Sequence, residues 1–354
     1  MIFGRRKGSD DAATVIDRAA ADGDIPEARR LVEAGEFFAA IDHLNAVNRH
    51  SRSTETEVEL RRIRNLAGMM LLEDPPSDPQ YPAAAEAPEP DPESRLPEIT
   101  PAELTPELLR GAMLSSGALL IRGLMDPAKA ERMATDIDHA LEVRERVHDG
   151  VPDDHGFYDE LLPEAPYRIG EREWIEAGGG VLAVDSPRLL FEMLESFEEA
   201  GLRDVIEGYL GERPAISGQK CTLRKATPDI PGAWHQDGAF LGDVRALNVW
   251  LSLSRCGDVA PSMDVVPRRL DDFVATGTEG TRLDFQVSQA VAEEAASGVG
   301  IVRPIFNPGD ALLFDDLFLH QTGSDPSMPN PRYAIESWFF GPSAYPDNYV
   351  PIAF

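Results

Sequence analysis

A histidine and an aspartate stand two residues apart in the segment PGAWHQDGAF, residues 231–240. On a β-strand, residues i and i+2 point to the same face of the sheet. His235 and Asp237 are therefore predicted to project side by side. An imidazole and a carboxylate in this arrangement form either a local hydrogen bond or two of the three ligands of a metal site.

His320, in the segment NPGDALLFDDLFLHQTG, is the candidate for a third ligand. The chain has seven histidines, and the other five lie in polar helical or loop contexts that favour surface or packing roles. Two histidines and one carboxylate on one side of a metal leave positions open on the other, which suits non-haem Fe(II) and oxygen chemistry. Zinc more often takes a tetrahedral set of nitrogen and sulfur ligands, and neither cysteine is placed to help.

Arg332 begins the alternating segment RYAIESWFF, twelve residues after His320. On a strand it shares a face with Ala334, Glu336 and Trp338. An arginine on an apolar strand needs a carboxylate partner, because burying its charge unpaired is costly. A small dicarboxylate that chelates the metal at one end would supply that partner at the other.

Three regions differ in composition and are predicted to form separate units. Residues 1–74 hold apolar residues at three- and four-residue spacing from residue 11 onward, which predicts helices and one tetratricopeptide-like hairpin. Residues 75–99 hold eight prolines and six acidic residues, which predicts an extended, solvated linker. Residues 100–354 are predicted to form the main domain and to fold without the helical extension.

Strand-like segments dominate the chain beyond residue 214. AISGQKCTLRKA, ALNVWLSLS, MDVVP, GDALLFD and RYAIESWFFG are short and are separated by Pro, Gly, Asp and Asn turns. This pattern is typical of a closed or sandwiched antiparallel sheet. Because helices precede these strands, the predicted fold class is α+β.

The overall composition limits the partners and the location. With 33 basic and 62 acidic residues, the chain has a formal net charge of −29, which disfavours nucleic acids and anionic membrane surfaces as partners. Two cysteines, no apolar segment of membrane-spanning length and no apolar run behind the basic N-terminus indicate a reduced, cytoplasmic setting. The helices within residues 11–74 are a candidate surface for a protein partner or for self-association.

Several motifs together resemble the phytanoyl-CoA dioxygenase family of Fe(II)/2-oxoglutarate-dependent oxygenases. They are WHQD at 234–237, NVW at 248–250, PGD at 308–310, and His320 followed by a polar loop into Arg332. The resemblance is strongest over residues 214–340 and extends from about residue 100. One departure is PRRL at 267–270, where the family often has PGSH; its two arginines are predicted to lie near the site mouth or in solvent.

The resemblance implies a double-stranded β-helix, a form of jelly roll, flanked by helices and with iron at its open mouth. It implies His235, Asp237 and His320 as iron ligands, and Arg332 as the partner of the distal carboxylate of 2-oxoglutarate. It implies further residues near this cosubstrate, each with an alternative role in the core or at a strand end: Trp250, Asn248, Gln219 and Thr322. The implied reaction uses O2 to hydroxylate a small organic molecule, with release of succinate and CO2.

Two alternative functions stay open at this point. The chain could be a non-catalytic metal-binding β-sandwich that acts through its helical extension, or a metal-dependent isomerase or hydrolase of the cupin type, which would not need Arg332. The sequence does not identify the substrate. We expect its contacts to come from residues 149–185 and 271–300.

Overall fold

Helices precede most of the strands in the computed structural model, which describes residues 24–170, 172–230 and 232–354. The helices are α1 (24–33), α2 (Phe37–His50), α3 (Thr54–Glu73), α4 (Pro106–Ser116), α5 (Pro127–His148), α6 (Arg172–Ala177), α7 (Pro187–Glu199), α8 (Leu202–Leu210), α9 (Gly238–Leu241) and α10 (Gln289–Ala295). The helix predicted from residue 11 onward lies outside the described residues up to residue 23. No helix in the described part of the chain is long and apolar enough to cross a membrane. The cytoplasmic location stays a prediction.

The strands are short and come mainly from the C-terminal half of the chain. They are β1 (Glu98–Ile99), β2 (Ala118–Ile121), β3 (Gly180–Leu182), β4 (Ala215–Ala226), β5 (Ala246–Ser252), β6 (Ser262–Val265), β7 (Ala311–Phe314), β8 (His320–Gly323), β9 (Arg332–Phe340) and β10 (Pro351–Ala353). Eight of them form one sheet in the order β1-β2-β7-β5-β9-β4-β10, with β3 also paired to β4. Within this large sheet only the β1–β2 pair is parallel.

The two faces of the large sheet pack against different parts of the molecule. On β5, Leu247, Val249 and Leu251 belong to the apolar cluster shared with the helices, whereas Trp250 belongs to a second cluster. This alternation follows from the two-residue period of a strand. We call the face that carries Trp250 the inner face.

A small sheet of β6 and β8 covers the inner face. Single bridges extend it, from Val265 to Val302 and from His320 to His235. Side chains of the small sheet, including Val265, share one buried cluster with Trp250 and other inner-face residues. The mixed architecture with a large antiparallel sheet agrees with the predicted fold class, and its further assignment as a double-stranded β-helix stays a prediction.

Helix α3 packs on β10, at one edge of the large sheet. The Arg64 Nη1 atom donates to the Ala353 carbonyl and the Asn65 Nδ2 atom donates to the Pro351 carbonyl, both at 2.9 Å. Gly68 lies so close that an added Cβ would be 2.6 Å from the Pro351 carbonyl oxygen. The helical hairpin α2–α3 is therefore packed on the main body, and its tetratricopeptide-like character stays a prediction.

The proline-rich segment is extended, as predicted, but it does not stand free in solvent. The Tyr81 ring contacts the Tyr209 ring edge-on at 5.3 Å and lies under the Arg245 guanidinium. The Ala85 amide donates to the Glu107 carbonyl at 2.9 Å. This part of the segment therefore contacts α8 through its single aromatic ring and α4 through its backbone, while the alanines at 83–85 stay exposed to solvent. The domain boundaries themselves stay predictions.

Candidate metal centre

Two histidines that are 85 positions apart are joined by direct backbone pairing. The His235 amide donates to the His320 carbonyl at 3.0 Å, and the His320 amide donates to the His235 carbonyl at 3.1 Å. Their ring centroids are 4.4 Å apart. The small sheet therefore brings together the two histidines that the sequence selected.

Asp237 reaches the same place by a different route from the one predicted. Its backbone is helical, with φ −63° and ψ −31°, and it caps the short helix α9. It is therefore not the second member of a strand pair with His235, because the chain leaves the extended conformation between them. The Asp237 Oδ2 atom lies 3.8 Å from His235 Nε2 and 3.6 Å from His320 Nε2.

The residues between these side chains anchor the segment. The Trp234 indole donates to Gln289 Oε1 at 2.8 Å. The buried Gln236 side chain donates to the Leu317 carbonyl at 2.7 Å and accepts from the Val274 amide at 2.8 Å. The side chains of Trp234 and Gln236 thus fix the backbone of this segment. His235 and Asp237, which alternate with them, are therefore held in position before any ligand binds.

Local hydrogen bonds set the tautomers of both histidines. Nδ1 of His235 lies 2.8 Å from the Ala233 carbonyl, and Nδ1 of His320 lies 3.0 Å from the Phe318 carbonyl. A carbonyl oxygen only accepts, so each Nδ1 carries the proton and each Nε2 keeps its lone pair. Burial, assisted by the neighbouring His235, lowers the pKa of His320 to about 4, which keeps its ring neutral near pH 7.

Together the three side chains form a candidate metal site. One nitrogen from each histidine and one Asp237 oxygen all lie within 4.8 Å of one another. In the described ranges this is the one group of three such donors that meets this geometry. Two imidazoles and a carboxylate are the donors of the facial triad of non-haem iron enzymes.

Two neighbouring aspartates, Asp315 and Asp316, lie beside the site, and the sequence analysis did not identify them. Burial and the charges of Asp315 and Asp237 raise the pKa of Asp316 to about 7. An added Cβ on Gly238 would collide with the Asp316 carboxylate, which shows how close this group is to α9. Asp315 is ion-paired with Arg269, so this arginine is not free in solvent, and its predicted position near the site mouth stays a prediction. Arg268 is more exposed, with Nη1 3.4 Å from the Ala295 carbonyl.

Arg332 is buried on the inner face of the large sheet and is incompletely paired. It is 1% exposed, and its Nη1 donates to the Ser262 carbonyl at 3.2 Å. Nη2 is 3.7 Å from Glu336 Oε1, and the guanidinium lies 5.4 Å from the Trp250 ring centroid. The Nε atom has no hydrogen-bond partner. Because buried donors are almost always satisfied, this orphan group indicates a place for an acceptor oxygen.

The four other predicted residues separate into two kinds. Trp250 and Asn248 lie on the inner face; Trp250 is the ring beneath Arg332, and the buried Asn248 Oδ1 atom has no partner. Thr322 follows His320 by two residues on β8. Gln219 is not brought to this cluster: its side chain bonds the carbonyl of Arg168 at 3.1 Å and the amide of Val350 at 2.7 Å, so its role is to tie loops to β4.

The large sheet adds charged residues that the sequence analysis did not assign to the site. Arg224 on β4 pairs with Glu336 through two contacts, Nε–Oε1 at 2.9 Å and Nη2–Oε2 at 3.2 Å. Burial alone would raise the pKa of Glu336, but Arg224 and Arg332, with His320, hold it below its ordinary value. The alternation of RYAIESWFF already placed Glu336 on the face of Arg332; its partner on β4 could not be read from the sequence.

Comparisons with known proteins yield distant relatives. No family model matches the chain. Dioxygenase FrzG of Cladobotryum sp is 20% identical over 276 residues, which are 72% of this chain and 81% of that protein. EctD from S. alaskensis, solved with 2-oxoglutarate and 5-hydroxyectoine, matches 76% of this chain and 89% of its own at 18% identity and a TM-score of 0.46. AviO1 from Streptomyces viridochromogenes Tue57 matches 66% and 94%, at 14% identity and a TM-score of 0.40.

Proposed function

We propose that this chain is a non-haem Fe(II)- and 2-oxoglutarate-dependent dioxygenase that hydroxylates a small organic molecule, with release of succinate and CO2. The observation that carries the proposal is that two kinds of group face the same inner cluster, with the His320 ring 4.9 Å from the Phe314 ring of the large sheet. One is the set of three metal donors at 235, 237 and 320, and the other is a buried arginine with an unsatisfied donor. The 20% identity to a protein named a dioxygenase supports the same class.

The donor set fits Fe(II). The Nε2 atoms of His235 and His320 lie 3.8 and 3.6 Å from Asp237 Oδ2, and the three donors lie within 4.8 Å of one another. No cysteine contributes, since Cys221 and Cys256 are both buried elsewhere in the core. A hard carboxylate with two imidazoles and open positions favours Fe(II) over a tetrahedral zinc site.

The arginine fits the distal carboxylate of 2-oxoglutarate. In this proposal Arg332 donates through its free Nε and through a terminal nitrogen, a fork that matches a carboxylate. Trp250 lies against the guanidinium and keeps water away from it. Asn248 and Thr322 are proposed to lie near the cosubstrate, whereas Gln219 acts through the backbone it ties down.

Each residue has a definite task in the reaction. When bound, Fe(II) and 2-oxoglutarate supply the activation of O2 that couples decarboxylation of the cosubstrate to oxidation of a substrate C–H bond. His235, Asp237 and His320 would hold the metal, and their anchored backbone limits their movement. Arg332 orients the cosubstrate, and the aromatic inner face excludes water from the reacting groups.

The buried Arg332 also distinguishes the proposed oxygenase from the two alternative functions, a cupin-type isomerase or hydrolase and a non-catalytic sandwich. A cupin-type isomerase or hydrolase has no use for an arginine with a free donor, and a non-catalytic sandwich has no reason to keep the charge buried. Both alternatives predict that removing this charge leaves ligand binding unchanged. The oxygenase proposal predicts the opposite.

Anaerobic titration of 2-oxoglutarate into the Fe(II)-loaded protein tests the proposal through the metal-to-ligand absorption band. Arg332→Ala removes both the charge and the two-point donor geometry, and the loss of a buried charge-assisted pair of this kind costs about 2–5 kcal/mol. We expect the dissociation constant for 2-oxoglutarate to rise by roughly 30-fold or more, with unchanged iron content.

Arg303→Ala is the matched control. Arg303 also makes a two-point ion pair, with Asp264 at 2.6 and 3.0 Å, but on the small sheet. Its variant should bind 2-oxoglutarate like the parent. If the parent forms no band and releases no succinate with 2-oxoglutarate and O2, the proposed function is wrong.

A further inference from the structure

A charged pair occupies the inner face of the large sheet next to the proposed cosubstrate site. In the β4–β9 register, Glu336 is opposite Thr222 and Arg224 is opposite Ala334. The two charges face each other through a two-point contact at 2.9 and 3.2 Å. The side chains of Arg224 and Glu336 keep 17% and 27% of their surface exposed, so the pair borders solvent-accessible space rather than sealed core.

The surrounding contacts place this pair on the same face as Arg332 and as the ring that contacts His320. Glu336 follows Arg332 on the same face of β9, with 3.7 Å between Oε1 and Nη2, and pairs across the sheet with Trp250. Trp338, the next inner residue of β9, contacts the Phe314 ring, whose centroid is 4.9 Å from that of His320. A substrate held at Glu336 would therefore lie on the same inner face that His320 contacts through Phe314.

A further cation lies on the same strand toward the other histidine. The Lys220 ammonium is 4.1 Å from the Phe240 ring centroid, and this ring stacks on His235 at 6.3 Å. The inner side of β4 thus presents cationic groups at Lys220 and Arg224, with one carboxylate between the strands. Charged pairs placed where apolar residues would fit carry a desolvation cost, which favours a role in recognition.

We propose that Arg224 and Glu336 form the subsite for the molecule that is oxidised, and that this molecule is a small zwitterion with an ammonium and a carboxylate group. The inference rests on the proposed function above. A zwitterion can replace both halves of the ion pair. Its carboxylate accepts two hydrogen bonds from the Arg224 guanidinium, and its ammonium donates to the Glu336 carboxylate. A neutral ligand leaves the pair closed, and a ligand with one charge leaves one member of the pair uncompensated.

The test uses the full chain loaded with Fe(II) and 2-oxoglutarate under anaerobic conditions. The probes are the proteinogenic L-amino acids, each compared with its N-acetyl form, which keeps only the carboxylate, and its amide form, which keeps only the ammonium. Binding near the metal is read from a change in the absorption band. We expect zwitterions to perturb the band at concentrations at least about tenfold lower than either single-charge form.

Two variants assign the charges to their partners. In Glu336→Gln, the preference for a free ammonium over its N-acetyl form should disappear while the preference for the carboxylate persists. In Arg224→Gln the reverse should hold. A merely structural role would weaken all probes equally, so this crossed pattern is specific to recognition. Asp264→Asn, which breaks the ion pair with Arg303 on the small sheet, should leave both preferences intact.

The outcomes separate the two proposals. If the parent forms no absorption band with 2-oxoglutarate, the proposed function fails and this inference fails with it. If the band forms but no zwitterion perturbs it more effectively than the single-charge forms, the subsite is wrong while the proposed function stands. Equal loss of all probes in Glu336→Gln likewise overturns the subsite.

Discussion

At the scale of single residues, the same local hydrogen bond orients both histidines for metal binding. Each ring donates from Nδ1 to the carbonyl two residues earlier, to Ala233 for His235 and to Phe318 for His320. The acceptor in each case is a main-chain carbonyl just before the histidine. The tautomer is therefore set by the local backbone and not by a distant side chain.

Removal of any one of the three donors should abolish metal binding without unfolding the protein. We expect His235→Ala, Asp237→Ala and His320→Ala each to weaken Fe(II) binding by at least about 100-fold, since even residues that only support metal ligands contribute about 10- to 100-fold. Anaerobic calorimetry and metal content measure the effect. His155→Ala, at an exposed loop histidine, is the control. Stoichiometric iron in any of the three variants would exclude that residue as a ligand.

The buried His320 should make the metal-free protein sensitive to mild acid. Its pKa is lowered from 6.5 to about 4, so between these values the unfolded chain binds a proton that the folded chain does not. Stability is therefore full above pH 6.5 and falls as the pH drops toward 4. At pH 5 the loss relative to pH 7 is roughly 2 kcal/mol from this group.

Urea unfolding of the metal-free protein at pH 7 and pH 5 measures this loss. His320→Gln should reduce the acid-induced loss by that amount, whereas His155→Gln, at an exposed position, should leave it unchanged. An equal loss in the parent and in His320→Gln would show that His320 is not held neutral in the fold.

The sequence was sufficient to predict the individual candidate ligands, but not the backbone conformation at Asp237 or the charged partners around the site. His235, His320 and Arg332 could be selected because their residue types and spacing are rare in an otherwise apolar sheet. Asp237 was selected for a partly mistaken reason, because a change from strand to helix within four residues leaves no periodic pattern. The role of Glu336 was missed, since it depends on Arg224, which is 112 positions away.

At the scale of elements, helix α3 provides polar groups to the edge of the large sheet. Asn65 and Arg64 lie in the middle of the helix, where their burial would normally be costly, yet both donate to carbonyls of β10. The partners are 286 and 289 positions away, so the apolar stripe could predict the helix but not this contact. The ability of residues 100–354 to fold without the helices stays a prediction.

Asn65→Ala should destabilise the whole protein rather than only the helical hairpin. The substitution leaves the Pro351 carbonyl without its donor in a buried position, which costs about 1–3 kcal/mol. Chemical denaturation followed by far-UV circular dichroism measures the change. Glu73→Ala, at the exposed end of α3, should change the stability by less than about 0.5 kcal/mol. A loss confined to a separate early transition would show that the hairpin unfolds independently.

At the scale of the whole molecule, the proline-rich segment joins the helices and the sheets into one body. Tyr81 contacts Tyr209 and Arg245, and the Ala85 amide bonds the start of α4. Composition alone predicted a solvated chain, because eight prolines cannot build a core. A few anchoring contacts nevertheless suffice to hold an extended segment against a surface that is already folded.

Excess negative charge should make this body more stable as salt is added. The chain has 62 acidic and 33 basic residues, so 29 carboxylates stay uncompensated even if every basic residue is paired. Salt screens both the attraction within ion pairs and the repulsion between carboxylates. Because carboxylates are in such excess, the repulsion is the larger of the two, and screening it stabilises the folded protein. We therefore expect the melting temperature to rise by a few degrees between about 10 mM and about 300 mM NaCl.

Calorimetry at matched pH tests the sign of this salt effect. A variant with three exposed glutamates neutralised, Glu86→Gln, Glu89→Gln and Glu131→Gln, should melt higher at low salt and gain less from added salt. Glycerol at equal osmolality should not reproduce the difference between the two proteins, because it does not screen charge. A melting temperature that falls with salt would mean that the ion pairs, such as Arg224–Glu336 and Arg303–Asp264, outweigh the uncompensated surface carboxylates.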